Sequence, residues 1–172
     1  MQPDESGFTL IELMVTLAIA AILLAIAGPN FTTFVQNNRL VGQANDLVTM
    51  LTLARSEAIK RNRPVTVCAR ESDTACADDT NWDGGFLVFA DANGDGVIDD
   101  GEEILQVRQA LEGGNTLRSD ATTSVTYRAN GITGVADVVF RLCDVRGADA
   151  ARAIEVSSIG RASTNVGAES CP

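Results

Sequence analysis

The stretch FTLIELMVTLAIAAILLAIA, residues 8–27, holds a single charged side chain, Glu12, in 20 residues. At about 1.5 Å of rise per residue, a helix of this length matches the roughly 30 Å hydrocarbon core of a bilayer. A cleaved secretory signal would place a basic segment before the apolar run and a small-x-small site after it. Here Gln2, Pro3, Asp4, Glu5 and Ser6 come first, without Lys or Arg. A core helix of a soluble domain would show polar breaks at helical spacing, and Leu13 to Ala27 shows almost none. The segment therefore reads as a membrane-spanning helix. Glu12 is its odd member: a carboxylate at mid-helix depth costs roughly 3 kcal/mol on insertion scales. It calls for a partner or a function.

Gly28-Pro29 follows the apolar run. Proline removes a helical hydrogen bond and crowds the preceding turn, so a kink or local melting is expected there. Beyond it, Leu40, Ala44, Leu47, Leu51, Ala54 and Ala58 recur at spacings of three and four. This is one face of an amphipathic helix. Arg39, Asp46, Glu57 and Lys60 fall largely off the stripe. The helix should end near Asn62, because Pro64 disfavours helical geometry at Arg63. The stripe is expected to be core packing under a head.

The remainder is predicted to be β-rich. Val65–Ala69, Phe86–Ala90, Ile104–Gln109, Ser124–Arg128, Val138–Cys143 and Ala153–Ser157 are short runs rich in Val, Ile, Phe and Tyr, separated by Gly, Asn and Asp. The expected fold class is α+β: a long N-terminal helix packed on an antiparallel sheet.

Composition limits the function classes. The 172 residues carry a formal net charge of −10 and a sequence pI of about 4.3, which disfavours DNA as a partner, since phosphate binding needs clustered Lys and Arg. With no histidine in the chain, the commonest general base and metal ligand is missing. No nucleophile motif is present, so an enzyme is not expected. The four cysteines, Cys68, Cys76, Cys143 and Cys171, read as two disulfides in an oxidising compartment. Four cysteines allow three connectivities. The local choice is Cys68 with Cys76, pinning a loop, and Cys143 with Cys171, tying the tail to a late strand. On a chain-entropy model these pairs contribute roughly 2.6 and roughly 3.6 kcal/mol.

One loop carries a ligand pattern. Asp91, Asn93, Asp95, Asp99 and Glu102 place side-chain oxygens at positions 1, 3, 5, 9 and 12 of an EF-hand loop, with Gly96 at the sharp turn. The Val97 carbonyl would supply position 7. No cofactor is required, and Ca²⁺ is the ion this loop would admit. The competing reading is a hairpin, because Asn93-Gly94 and Asp95-Gly96 are strong turn formers and strands, not helices, flank the loop.

Gly7-Phe8-Thr9-Leu10-Ile11-Glu12-Leu13 resembles the type IV prepilin processing motif. The resemblance implies cleavage by prepilin peptidase between Gly7 and Phe8, N-methylation of Phe8, and a role for Glu12 in meeting the N-terminal ammonium of a neighbouring subunit. Such pairing would offset desolvation of both charges. The leader departs from the pattern in being acidic. Further on, Ala54-Arg55-Ser56-Glu57-Ala58, Trp82-Asp83-Gly84-Gly85-Phe86-Leu87-Val88-Phe89 with Asp91, Gly101-Glu102-Glu103-Ile104-Leu105 and Ser158-Ile159-Gly160-Arg161 resemble the GspH/FimT group of minor pilins and pseudopilins. That resemblance implies a leader over 1–7, a transmembrane and assembly half-helix over 8–29, an amphipathic half over 30–62 and a head over 63–172. It also implies single-pass insertion in the inner membrane with a periplasmic head. Assembly with other major and minor pilins or pseudopilins, into a type IV pilus or a type II secretion pseudopilus, would follow. The alternative it raises is a DNA receptor for natural transformation. Gly160-Arg161 keeps the first arginine of a Gly-Arg-x-Arg element and Ser163 replaces the second; Arg141, Arg146 and Arg152 could contribute. Non-reducing peptide mapping is expected to return the 68–76 and 143–171 cross-linked peptides. A peptide joining Cys68 to Cys143 would establish a different connectivity.

Overall fold

The computed structural model describes residues 7–171 apart from Val135 and Glu169, with the backbone alone at residues 27–29. One helix, α1 (Leu10–Arg61), is followed by nine strands: β1 (Val65–Ser72), β2 (Ala75–Cys76), β3 (Phe86–Ala90), β4 (Ile104–Arg108), β5 (Thr116–Ser119), β6 (Ser124–Tyr127), β7 (Val138–Cys143), β8 (Arg152–Val156) and β9 (Ala162–Val166). The chain divides into two compact units between Asn37 and Asn38.

Both ends of α1 follow from local chemistry. Thr9 is the N-cap: its Oγ1 accepts from the Glu12 N–H at 3.3 Å, and its carbonyl accepts from the Leu13 N–H at 3.2 Å. Thr9-Leu10-Ile11-Glu12 thus has the spacing of a capping box. At the other end Asn62 takes a positive φ of 52°. The Arg63 N–H reaches back to the Ala58 carbonyl at 3.3 Å, and the Asn62 N–H to that of Ile59 at 3.4 Å. This Schellman arrangement satisfies carbonyls that the helix end would leave orphaned. Pro64 then prevents continuation.

The local melting expected at Gly28-Pro29 does not occur, as α1 is helical through both residues. Proline deletes one rung of the ladder. The Asn30 side chain adds a donor nearby, on the Ile26 carbonyl at 3.0 Å.

In the first unit, residues 10–26 are all exposed. This segment of α1 is long and apolar enough to cross a membrane.

In the second unit, the predicted stripe is buried: Leu40, Leu47, Leu51, Ala54 and Ala58 are inaccessible, with Ala44 and Met50 nearly so. These side chains share one core with residues of two antiparallel sheets. The first sheet has the order β2-β1-β3-β4, with β6 also pairing β1; the second has the order β5-β7-β8-β9. Trp82 is fully buried. It packs edge-on against Phe140 with ring centroids 4.8 Å apart, and its indole N–H donates to the Thr122 carbonyl at 3.3 Å. The Gly-Gly step after it has a steric basis. Gly85 has φ of 101°, and a Cβ there would stand 2.1 Å from the Arg108 carbonyl oxygen.

Three strands lack the expected pattern. β2 has two residues. In β5 only Leu117 and Ser119 turn inward, and β9 has no buried residue. Pairing with β7 and β8 makes β5 and β9 strands; their own apolar content does not.

The Tyr127 side chain is buried, and its hydroxyl has no hydrogen-bond partner. Burial pushes the phenol up to about 12, opposed by the charge of Arg55. A buried hydroxyl without a partner loses hydration and gains nothing in return. Tyr127→Phe is therefore expected to raise stability by roughly 1 kcal/mol. The folded-state pKa lies above the ordinary value, so the stability tied to the protonated phenol is complete below about pH 10 and is lost as pH rises toward about 12. Denaturant melts between pH 9 and 12 should show a shallower alkaline decline for Tyr127→Phe. An unchanged decline would exclude Tyr127 as its source.

Candidate functional site

The N-terminal site is assembled by the start of α1. Gly7 and Phe8 lie outside the helix, Thr9 caps it, and Glu12 occupies the first turn. All four are exposed. Among the described residues, none of the ion pairs involves Glu12. The positive end of the helix dipole favours a carboxylate at this position. Residues 1–6 of the expected leader lie outside the described residues.

The acidic loop joins β3 to β4 and is organised by N–H donors. Asp91 is fully buried. Its Oδ1 accepts from the Gly94 N–H at 2.6 Å, and its Oδ2 accepts from the Gly96 N–H at 3.0 Å and the Thr66 hydroxyl at 2.6 Å. Thr66 in turn lies 2.7 Å from the Thr126 hydroxyl, so the loop is tied to β1 and β6. Glu102 accepts from the Ala92 N–H at 2.7 Å and the Asp99 N–H at 3.1 Å. Asn93 directs its amide nitrogen at the Asp95 and Asp99 carboxylates, each at 2.9 Å.

This arrangement revises the calcium expectation. Asp91, Asn93, Asp95, Val97, Asp99 and Glu102 do share one loop. Among the described residues, however, no group of three or more His, Cys, Asp or Glu is placed to hold a metal ion. The carboxylates close the hairpin by accepting backbone and amide N–H bonds, so the set does not fit a calcium cage.

Both disulfides brace the head. Cys68 on β1 is bonded to Cys76 on β2, and Cys143 at the end of β7 is bonded to Cys171 in the tail.

The arginines considered for DNA are otherwise engaged. Arg141 is paired with Asp120. Arg146 lies 2.7 Å from Asp144. Arg152 donates to the Ala150 and Ala151 carbonyls at 2.8 and 2.9 Å. Arg161 is exposed in the β8–β9 turn and shares its cleft with Asp137 and Glu155. Phosphate would meet carboxylates here, and the few arginines left would give little affinity at physiological salt.

Two features were not foreseen from sequence. Glu57, Arg61 and Glu103 form an ion triad, with Arg61 at 2.7 Å from Glu57 and 2.6 Å from Glu103, joining the end of α1 to the entry of β4. Gln43 on α1 accepts from Asn115 at 2.7 Å and donates to the Glu112 carbonyl at 2.9 Å. The spacing of Glu57 and Arg61 on the helix was a visible signal for the first. Nothing in the sequence links Gln43 to Asn115.

A capped apolar helix entering a two-sheet disulfide-braced head defines a pilin-type subunit. The comparisons agree. A family model described as prokaryotic N-terminal methylation motif matches residues 3–28. The model described as type II transport protein GspH matches residues 43–160, and the chain belongs to that family. The pilin-like protein PilA1 of Thermus thermophilus is 37% identical over 99 residues, covering 56% of this chain and 55% of that protein. A fimbrial protein of Pseudomonas aeruginosa is 30% identical over 92 residues, 54% of this chain and 55% of its own. The match spans about half the length of these relatives. The crystal structure of the type IV minor pilin FimU of Pseudomonas aeruginosa superposes with a TM-score of 0.65 at 25% identity, covering 81% of this chain and 99% of that one.

Asp91→Ala would leave two backbone N–H groups and the Thr66 hydroxyl without their acceptor. A loss of about 2–4 kcal/mol is expected, measured by denaturant unfolding. A loss under about 0.5 kcal/mol would match an ordinary surface site and show that the loop closes without Asp91.

Proposed function

We propose that this chain is made as a precursor with a leader over residues 1–7, is cut by prepilin peptidase after Gly7, and is N-methylated on Phe8. The observation that carries the reading is the motif Gly7-Phe8-Thr9-Leu10-Ile11-Glu12 at the start of a helix whose next fifteen residues are uncharged. The half-helix over 8–29 anchors the protein in the inner membrane as a single pass. The amphipathic half over 30–62 and the head over 63–172 face the periplasm. The protein then enters a fibre as a low-abundance structural subunit, packing against other pilins, and acts by assembly rather than by turnover. A type IV pilus is favoured over a secretion pseudopilus, because the relatives are pilin-like and fimbrial and the structural neighbour is a type IV minor pilin.

The chemistry follows from burying an apolar helix among others like it. Glu12 enters that environment as an anion and requires a cation at its depth. The α-amine of Phe8 on a neighbouring subunit supplies one, and each charge offsets the desolvation of the other. Registration of adjacent helices then depends on a charge pair.

Glu12→Ala is expected to be cleaved and methylated normally yet to be lost from purified fibres. Gly7→Ala is expected to accumulate as uncut precursor. Mass spectrometry of the N-terminus and immunoblots of sheared fibres distinguish the two steps. Wild-type incorporation of Glu12→Ala would overturn the charge-pair mechanism.

A further inference from the structure

β9 is the outermost strand of the second sheet; β8 lies on one side of it, and among the described residues no strand lies on the other. The ladder identifies the groups left over. The Ser157 N–H donates to the Arg161 carbonyl, and the Gly167 N–H to the Ala151 carbonyl, both at 2.9 Å. With the β8–β9 register, these bonds turn the N–H and C=O of Arg161, Ser163, Asn165 and Gly167 toward β8. Antiparallel pairing alternates, so those of Ala162, Thr164 and Val166 point out of the sheet edge.

The side chains add a second deficit. Thr164 stands beside Ile154 and Ala162 beside Val156. Both β8 partners are fully buried, which puts Ala162, Thr164 and Val166 on the core side of the sheet. Yet Thr164 is exposed, and Val166 is 78% exposed. The core cover stops at β8, and β9 extends beyond it.

The other sheet edges are guarded. β4 carries Arg108, and its ladder with β3 has a register shift. β2 is two residues long. The outer side of β5 is bridged by Asn81 to Arg118, and Tyr127 of β6 is bridged to Thr133. Charges, irregular ladders and short strands are the usual protections of an exposed edge. β9 reads Ala-Ser-Thr-Asn-Val, with no charge, no proline and no register shift in its ladder.

We propose that β9 is an acceptor edge on which a neighbouring fibre subunit lays an extended amphipathic strand. Main-chain bonds to Ala162, Thr164 and Val166 would hold it, and its larger apolar side chains would cover Thr164 and Val166 on the core side. A second copy of this chain is a poor donor through the same strand. It offers only Ala162, Thr164 and Val166 to that side, too little surface to cover the exposed face. The proposal rests on the reading of the chain as a fibre subunit.

Two variants of the full chain, expressed with its fibre subunits in the native host, test it. Thr164→Pro removes an outward N–H and leaves the bonds to β8 in place. Val166→Lys puts a charge on the edge. Each is expected to keep the wild-type melting temperature and membrane level, and to fall at least tenfold in sheared fibres. A photo-cross-linking side chain at position 164 should capture a different subunit. Wild-type incorporation of both variants, or a cross-linked dimer of this chain, would overturn the proposal. If Thr164→Pro lowers the melting temperature, Val166→Lys decides alone. Wild-type protein present in fibres beside equally incorporated variants sinks the edge while leaving the assembly reading intact. Absence of the wild type from fibres sinks both.

Discussion

Leu47 and Leu51 of α1 are fully buried, and each such side chain contributes about 1.5–3 kcal/mol on leaving water. They sit in one cluster with Val67 and Val88 of the first sheet and Phe140 and Ile154 of the second. Neither sheet could bury its inner face alone, since each is only four or five strands wide and open-edged. The helix stripe therefore determines where both sheets lie. The Schellman close at Asn62 and the ion triad at Arg61 fix where the chain leaves that stripe for β1. Deleting one of these leucines would remove packing shared by two sheets, with a cost in the 2–5 kcal/mol range typical of large-to-small core changes (about 3.5 at its centre).

The same helix meets opposite demands along its length. From Leu40 onward it has one apolar side, already covered by the head. From Leu10 to Ile26 it is apolar all round and exposed. A helix of the second kind is stable only among lipids or other apolar helices. Function in this family thus resides in what the first half lacks within a single chain. Glu12 extends the same logic to charge, because its complement must come from outside.

The sequence exposed the features that repeat with a helical or alternating period. Leu40 to Ala58 marked the buried face, and the Val-, Ile- and Phe-rich runs marked β1, β3, β4, β6, β7 and β8 to within a few residues. β5 and β9 escaped because their strand character comes from partners distant in sequence. Pro29 was weighed as a helix breaker on local grounds, whereas α1 continues through it. The acidic loop shows a further limit. Oxygen-bearing residues at ligand spacing also suit a hairpin closed by backbone N–H groups, and spacing alone does not say which donor they face. Thr66, which bonds the buried Asp91, lies 25 residues away and on another strand.

The Cys143–Cys171 bond has a consequence for load. β8 and β9 both lie inside the covalent ring it closes, and its anchor is the end of β7. A pull applied sideways through β9 could strip the β8–β9 ladder one bond at a time. The slack released would be limited to the residues inside the ring, and the force would then pass through sulfur to β7. The head can therefore yield at its edge while the strands that carry its core remain under a covalent tether.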